Sequence, residues 1–343
     1  MKAVQLVGVE TLEVNEVADP RIVSPADAIV KVSHSAICGA DLLPYHGWTP
    51  GFEFGTIPGH EFVGEVVEVG TGVSRIAVGM RVVNTSMVWC GVCDFCRRSI
   101  PTQCRERALF GYSGVYPRLD GGQAEFVRIP FADRSLWQIP AGVSSEDAIF
   151  IADILPTGFA SVQRGRVRNQ DCVVVLGCGP VGLMAIMASV GIARVVIAVD
   201  EIDSRRKMAE TLGAISVDPT GAAELVAQCS QGIGADVVIE ASGSVPALDA
   251  SFALARPQGV VSVVGAHFEP DYPLNNATMF EKELSLVFSV GNPSQDRERL
   301  FAAIEAESLK PSDIISHTVP LGNAPQAYRD FDSKKALKVV LTP

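Results

Sequence analysis

The chain has 343 residues, 48% of them hydrophobic and 20% charged, with a formal net charge of −11. That length suggests two domains with packed cores, and the longest apolar runs are far too short to cross a bilayer. No lysine or arginine run offsets the acidity, so neither a nucleic acid nor a membrane surface is expected as a partner.

In chain order, residues 1–10 alternate like a strand and lack the apolar core of a signal peptide, which predicts a cytoplasmic protein. Short β-type runs at 28–32, 62–69, 81–83 and 124–129 follow, punctuated by glycine and proline, and predict a compact, partly barrel-like β domain. From about residue 154 apolar strands alternate with helical stretches. The strands are expected at 173–176, 195–199, 215–217, 237–240, 260–264 and 284–290, the pattern of a doubly wound α/β domain with six parallel strands. A helix at 295–307 and a strand at 336–341 break that alternation and are expected to rejoin the first domain. The predicted organisation is therefore residues 1–153 with 295–343, and an inserted domain at 154–294.

The strand at 173–176 runs into Gly177-Cys178-Gly179-Pro180-Val181-Gly182 and then a helix. A glycine turn in that setting accommodates a tight bend and close approach to a pyrophosphate, which the helix N-terminus then binds. Asp200, 18 residues beyond Gly182, ends the next strand. A carboxylate there accepts from the ribose hydroxyls and repels a 2′-phosphate, which favours NAD over NADP. Arg205 is expected to lie against the adenine or ribose.

Of eight cysteines, Cys90, Cys93, Cys96 and Cys104 crowd into one short segment. Four thiolates with two-residue gaps suit a closed, structural tetrahedral zinc; an iron–sulfur cluster competes as a reading, and disulfides are disfavoured in a reducing compartment. Cys172, Cys178 and Cys229 read as small apolar packers. Three further features lie far apart: Cys38 at a strand end, His60-Glu61 opening another strand, and Asp153 before Ile154-Leu155-Pro156-Thr157-Gly158.

Together these residues resemble the zinc-dependent alcohol dehydrogenases of the medium-chain dehydrogenase/reductase superfamily. The strongest match is Gly59-His60-Glu61-x-x-Gly64, continued by Gly70 and Val73, and the likeness covers essentially the whole chain. The stretches at 153–158 and 121–126 look most like the bacterial branch that contains formaldehyde dehydrogenases. The resemblance implies a GroES-like catalytic domain beside a Rossmann domain. It implies a catalytic zinc on Cys38, His60 and Asp153, with Glu61 nearby or as an exchanging ligand and Asp41 in support. Zinc would then act as the Lewis acid for hydride transfer between an alcohol, aldehyde or ketone and the nicotinamide. By position, Val264, Gly265, Ser289, Val290 and Gly291 line the nicotinamide, and Lys338 matches a basic residue that relatives place near the cofactor.

One departure stands out. The family places a serine or threonine two residues after the first zinc ligand to pass on the alcohol's proton, and a histidine often ends that relay at position 43. Here those positions are Ala40 and Leu43. Glu61, Tyr45, His46 and Thr157 are the alternative proton carriers, and Ala40→Ser is expected to change the pH dependence of alcohol oxidation. The chief expectation is a zinc- and NAD-dependent alcohol dehydrogenase assembled as a homotetramer. An NAD-retaining formaldehyde or aldehyde dismutase is the alternative within enzymes, and an inactive zinc- and NAD-binding sensor the alternative outside them.

Overall fold

The computed structural model describes residues 1–267 and 271–343. The chain divides into two compact units, one comprising Met1–Pro156 with Asn292–Pro343 and the other Thr157–Gly291.

The first unit is organised around the strand Ala28–Ile37. Its length lets three neighbours share it. Glu61–Val69 pairs antiparallel along one edge, while Phe126–Ile129 takes the first half of the other edge and Val339–Thr342 takes the second. Arg81–Asn84 and Leu136–Gln138 extend the sheet on one side, and His317–Pro320 closes it on the other. Buried Val30, Val32, Phe62, Val66, Val127 and Ile129 pack its core, so the period-2 apolar pattern of these runs is matched by burial. Phe62 and Phe110 meet edge to face, with centroids 5.2 Å apart. The strand expected at 336–341 is Val339–Thr342, and the helix expected at 295–307 is Arg297–Glu305. Its start is set by Asp296, whose φ of 64° lies in the left-handed region and cannot continue a helix.

The second unit is a six-stranded parallel sheet. Its order is Ile215–Val217, Val195–Val199, Cys172–Leu176, Ala235–Glu240, Ala255–Val263, Ser285–Phe288. The first strand in sequence is thus central, and the order reverses between it and Ala235–Glu240, the switch point at which such sheets bind dinucleotides. Both faces are covered, and Cys172–Leu176 is buried throughout, which is why it reads as a continuous apolar run. The last strand is an edge and is shorter than the 284–290 run suggested. Glu283, at φ 52°, ends the preceding helix just before it. Among the described residues no helix is long and apolar enough to span a membrane.

Candidate metal centre and dinucleotide turn

Cys38 follows the last residue of the Ala28–Ile37 strand, and Glu61 opens the strand antiparallel to it, with Ala36 opposite Glu61 in register. Strand pairing therefore brings the Cys38 and His60-Glu61 segments together. Asp153 follows the buried turn Ile149–Ala152 and arrives at the same place. One ligand atom each from Cys38, His60, Glu61 and Asp153 lies within 4.8 Å of all the others. Cys38, His60 and Glu61 are buried.

Asp41 is placed by the short turn Gly39–Asp41. One of its oxygens, Oδ2, accepts from the Cys38 N–H at 2.9 Å, and Oδ1 lies 3.1 Å from His60 Nδ1. A carboxylate cannot donate, so His60 donates its Nδ1 proton to Asp41 and turns Nε2 toward the cluster. Nε2 lies 3.4 Å from an Asp153 oxygen. His60 Nε2 and Glu61 Oε1 are buried without a hydrogen-bond partner. An unpartnered ring nitrogen and carboxylate oxygen beside a thiol and a second carboxylate fit a cation of zinc's ligand preference.

Electrostatics agree with that. Burial works against a charged His60, but Asp41, Cys38 and Asp153 outweigh it and raise its pKa well above the ordinary value. Burial, together with Glu61, pushes the Cys38 thiol up against the pull of His60 and Lys338. The chain alone thus holds a proton on both groups, and a bound cation would replace those protons.

Lys338, which the resemblance puts near a cofactor, is held at the cluster. Its side chain is wholly buried, its ammonium pairs with Glu61 Oε2, and it donates to the Ile37 carbonyl at 3.2 Å. Antiparallel pairing of Val339 with Ile37 puts Lys338 beside the Cys38 segment, and a buried ammonium needs the carboxylate it finds there. Sequence reasoning could have caught this, since a lysine entering a buried strand must have an acidic partner.

The alternative proton carriers are also placed. His46 Nδ1 lies 2.8 Å from Glu10 and Nε2 lies 2.9 Å from Asp332, so both ring nitrogens are engaged outside the cluster. Ala40 presents only its carbonyl, which accepts from the Tyr112 hydroxyl. Burial pushes the Tyr112 phenol far up, so it keeps that proton. Tyr45 is buried against Tyr328, with ring centroids 5.5 Å apart.

The cysteine lobe closes on itself. Sulfur–sulfur distances are 3.5 Å for Cys93–Cys96 and Cys90–Cys104, and 3.9 Å for Cys93–Cys104. Backbone N–H groups of Cys90 and Glu106 point at the Cys104 sulfur, at 3.3 and 3.4 Å. Such N–H···S contacts pull toward the thiolate: backbone N–H groups, Arg105's first, bring the Cys93 thiol down to about 6, while burial still holds the Cys104 thiol above its ordinary value. Four sulfurs that all lie within 4.8 Å of one another suit a structural ion.

In the second unit, Gly177 turns at φ 94°, and a side chain there would strike the backbone of Ser242. A Cβ on Gly179 would meet nothing nearer than an Arg205 nitrogen at 3.9 Å, which leaves open space over the N-terminus of the helix Pro180–Val190. That space is what a pyrophosphate needs. The Pro180-Val181-Gly182 turn starts the helix, and Gly182 abuts the Gly177 carbonyl. Asp200 is less free than the sequence suggests: it accepts from the Cys178 N–H at 2.7 Å and from the Ile202 N–H at 2.8 Å. Across the switch point buried Glu240 accepts from Ser242 and Gly243 N–H and pairs with His267 at 2.9 Å. Backbone N–H groups of Val264 and Gly265 bond to the Glu240 carbonyl. Ser289 is held to Ser262 at 3.1 Å, and Thr157 abuts Gly291.

Residues 24–141 match the alcohol dehydrogenase GroES-like domain and residues 180–306 match the zinc-binding dehydrogenase domain. With this architecture and these sites, the chain belongs to the zinc-dependent alcohol dehydrogenases of the medium-chain superfamily, and it is an oxidoreductase. A zinc-type alcohol dehydrogenase-like protein of Bacillus subtilis is 33% identical, covering 100% of both chains. Alcohol dehydrogenase from Thermus sp. ATN1 superposes with a TM-score of 0.95 at 37% identity, over 100% of this chain and 99% of that one. A putative zinc-binding dehydrogenase from Sinorhizobium meliloti, solved bound to NADP, gives 0.88 at 28% identity, over 100% and 99%.

Proposed function

We propose that this chain interconverts small alcohols with their aldehydes or ketones using NAD, with catalytic zinc at Cys38, His60 and Asp153 and structural zinc on Cys90, Cys93, Cys96 and Cys104. The reading is carried by the buried cluster whose His60 Nε2 and Glu61 Oε1 lack partners. Zinc there would supply a Lewis acid that polarises the substrate oxygen.

The chain's own groups do the rest. Asp41 fixes the His60 ring and tautomer, as outer groups do for metal-bound histidines. Lys338 occupies one oxygen of Glu61 and leaves the other toward the cluster, so Glu61 serves as a reserve ligand that exchanges with substrate. No hydroxyl stands at position 40, and His46 is committed to two carboxylates, so the substrate proton leaves by water.

The glycine turn at Gly177, Gly179, Pro180, Val181 and Gly182 takes the pyrophosphate, and Asp200 with Arg205 takes the adenosine. Val264, Gly265, Ser289, Val290 and Gly291 flank the nicotinamide. NAD is preferred over NADP because the Asp200 carboxylate would meet a 2′-phosphate as a like charge. The S. meliloti relative was solved with NADP bound, and turnover compared between the two coenzymes decides the preference here.

A homotetramer in the cytoplasm completes the proposal. The edge strand Ser285–Phe288 leaves Phe288 63% and neighbouring Val290 59% exposed, an unpaired edge that a second subunit would cover. The deciding experiment is metal analysis of the purified protein, then an alcohol and aldehyde panel followed by NADH absorbance with NAD and NADP in parallel. Two zinc equivalents and NAD-linked turnover are expected. A protein with two zincs that turns over no alcohol, or turns over faster with NADP, would overturn the corresponding part.

A further inference from the structure

The strand Arg81–Asn84 ends at a short segment, Asn84-Thr85-Ser86, that touches two of the chain segments carrying the cluster's ligands. Asn84 is wholly buried. Its Oδ1 accepts from the Phe62 N–H at 2.8 Å, and its Nδ2 donates to the His60 carbonyl at 2.7 Å and to the Thr85 carbonyl at 2.8 Å. The paired register of this strand with Glu61–Val69 ends at Val63 opposite Val83. Beyond it one amide side chain, with an acceptor and two donors, takes up the backbone groups on either side of Glu61. Thr85 is pinned in turn, its N–H to the Ser135 carbonyl at 2.9 Å and its hydroxyl to the Met87 carbonyl at 2.8 Å. Ser86 then reaches the other ligand segment twice. Its N–H donates to the Ala152 carbonyl at 3.0 Å, and its hydroxyl donates to Asp153 Oδ1 at 3.4 Å. The second oxygen, Asp153 Oδ2, lies 3.4 Å from His60 Nε2.

We propose that Ser86 is a positioning residue for Asp153, held in register with His60 and Glu61 by Asn84, and that its hydroxyl decides how many oxygens Asp153 offers to the metal centre. The inference rests on the proposed metal centre. A carboxylate has two oxygens, which either chelate one cation together or divide their work. The Ser86 hydroxyl occupies Oδ1 and leaves Oδ2 as the oxygen turned to the cluster. Asp153 then contributes a single ligand atom, and a position stays open for the substrate oxygen. Without the hydroxyl, Asp153 is able to engage through both oxygens and fill that position. The N–H bond from Ser86 to Ala152 does not depend on the side chain. Loss of the hydroxyl therefore changes how Asp153 faces the cluster without releasing the turn that carries it.

The test loads the full-length protein with Co2+, whose visible absorption weakens as the ion gains ligands. The cysteine lobe contributes alike in every variant and cancels in difference spectra, and Cys38→Ser identifies the part of the spectrum that belongs to the centre. Ser86→Ala keeps the backbone bonds and removes the hydroxyl; Ser86→Thr keeps the hydroxyl. S86A is expected to weaken the absorption of the Cys38 centre and to lower kcat about 10–100-fold, with KM for NAD little changed, and S86T is expected to restore both. A serine of merely structural importance would lower Tm in S86A and leave the cobalt spectrum as it is. A wild-type spectrum in S86A, or the same altered spectrum in S86A and S86T, would overturn the inference. If Cys38→Ser binds as much cobalt as the wild type, with the same spectrum, the metal-centre reading itself fails. A centre present in the wild type and unmoved by S86A would sink this inference alone.

Discussion

Lys338 and Glu61, 277 residues apart, form an ion pair that is almost completely removed from solvent. Breaking such a pair from one side leaves an uncompensated charge in the core. Lys338→Met is therefore expected to cost about 3–5 kcal/mol of stability, measured by urea unfolding of the metal-loaded protein. Adding Glu61→Gln should recover most of the loss, because the stranded charge goes with it. Equal stability of K338M and the double variant would show that the pair is not the source of the cost.

Asp41 accepts from Cys38 N–H and faces His60 Nδ1 with its two oxygens. In Asp41→Asn the amide group can accept only one of these bonds, so His60 loses either its tautomer or its orientation. Affinity of the centre for zinc is expected to fall about 10–100-fold, read by chelator competition, with the lobe zinc retained. Unaltered affinity would remove Asp41 from the metal site.

The cysteine lobe should behave as an independent, closed site. Cys104 is wholly buried, and its sulfur receives two backbone N–H groups. Cys104→Ser is expected to lower zinc content from two equivalents to one and to reduce Tm by roughly 5–10 °C, since structural metal binding is folding free energy. Two equivalents remaining in C104S would mean that the lobe does not hold its ion through this sulfur.

His46 provides a prediction for pH. Burial opposes its charged form, but hydrogen bonds to Asp332 and Glu10 raise its pKa above the ordinary imidazole value. A raised folded-state pKa contributes stability that is complete below the unfolded value and fades as pH rises through the folded one. Wild type is thus expected to exceed His46→Gln in Tm at pH 5.5–6 by more than at pH 9. Trp48, stacked on the His46 ring with centroids 4.7 Å apart, should report the same titration by fluorescence. A Tm difference that is independent of pH would refute the assignment.

Much of the site was legible because its determinants are local or carried by strand ends. The glycine turn is contiguous, the four lobe cysteines are neighbours in the chain, and Cys38 and His60-Glu61 mark the ends of two strands whose alternation was plain. The burial of Lys338 against Glu61 and that of Arg297 at its helix start were hidden for the same reason. Each is a cation buried by tertiary packing, and neither spacing nor periodicity records burial of that kind. The edges of helices were also hidden, since left-handed residues such as Glu283 and Asp296 leave no compositional mark.

The bond from Cys178 N–H to Asp200 has a bearing on how such a protein could change its taste in cofactors. Replacing this aspartate by a small neutral residue is the shortest mutational route toward accepting a phosphorylated ribose. Here that exchange would also untie the turn proposed to receive the pyrophosphate, so an intermediate on the route would bind every dinucleotide less well before it bound a new one better. Lineages carrying this tether would be held to one coenzyme by the integrity of their loop as much as by recognition of the sugar.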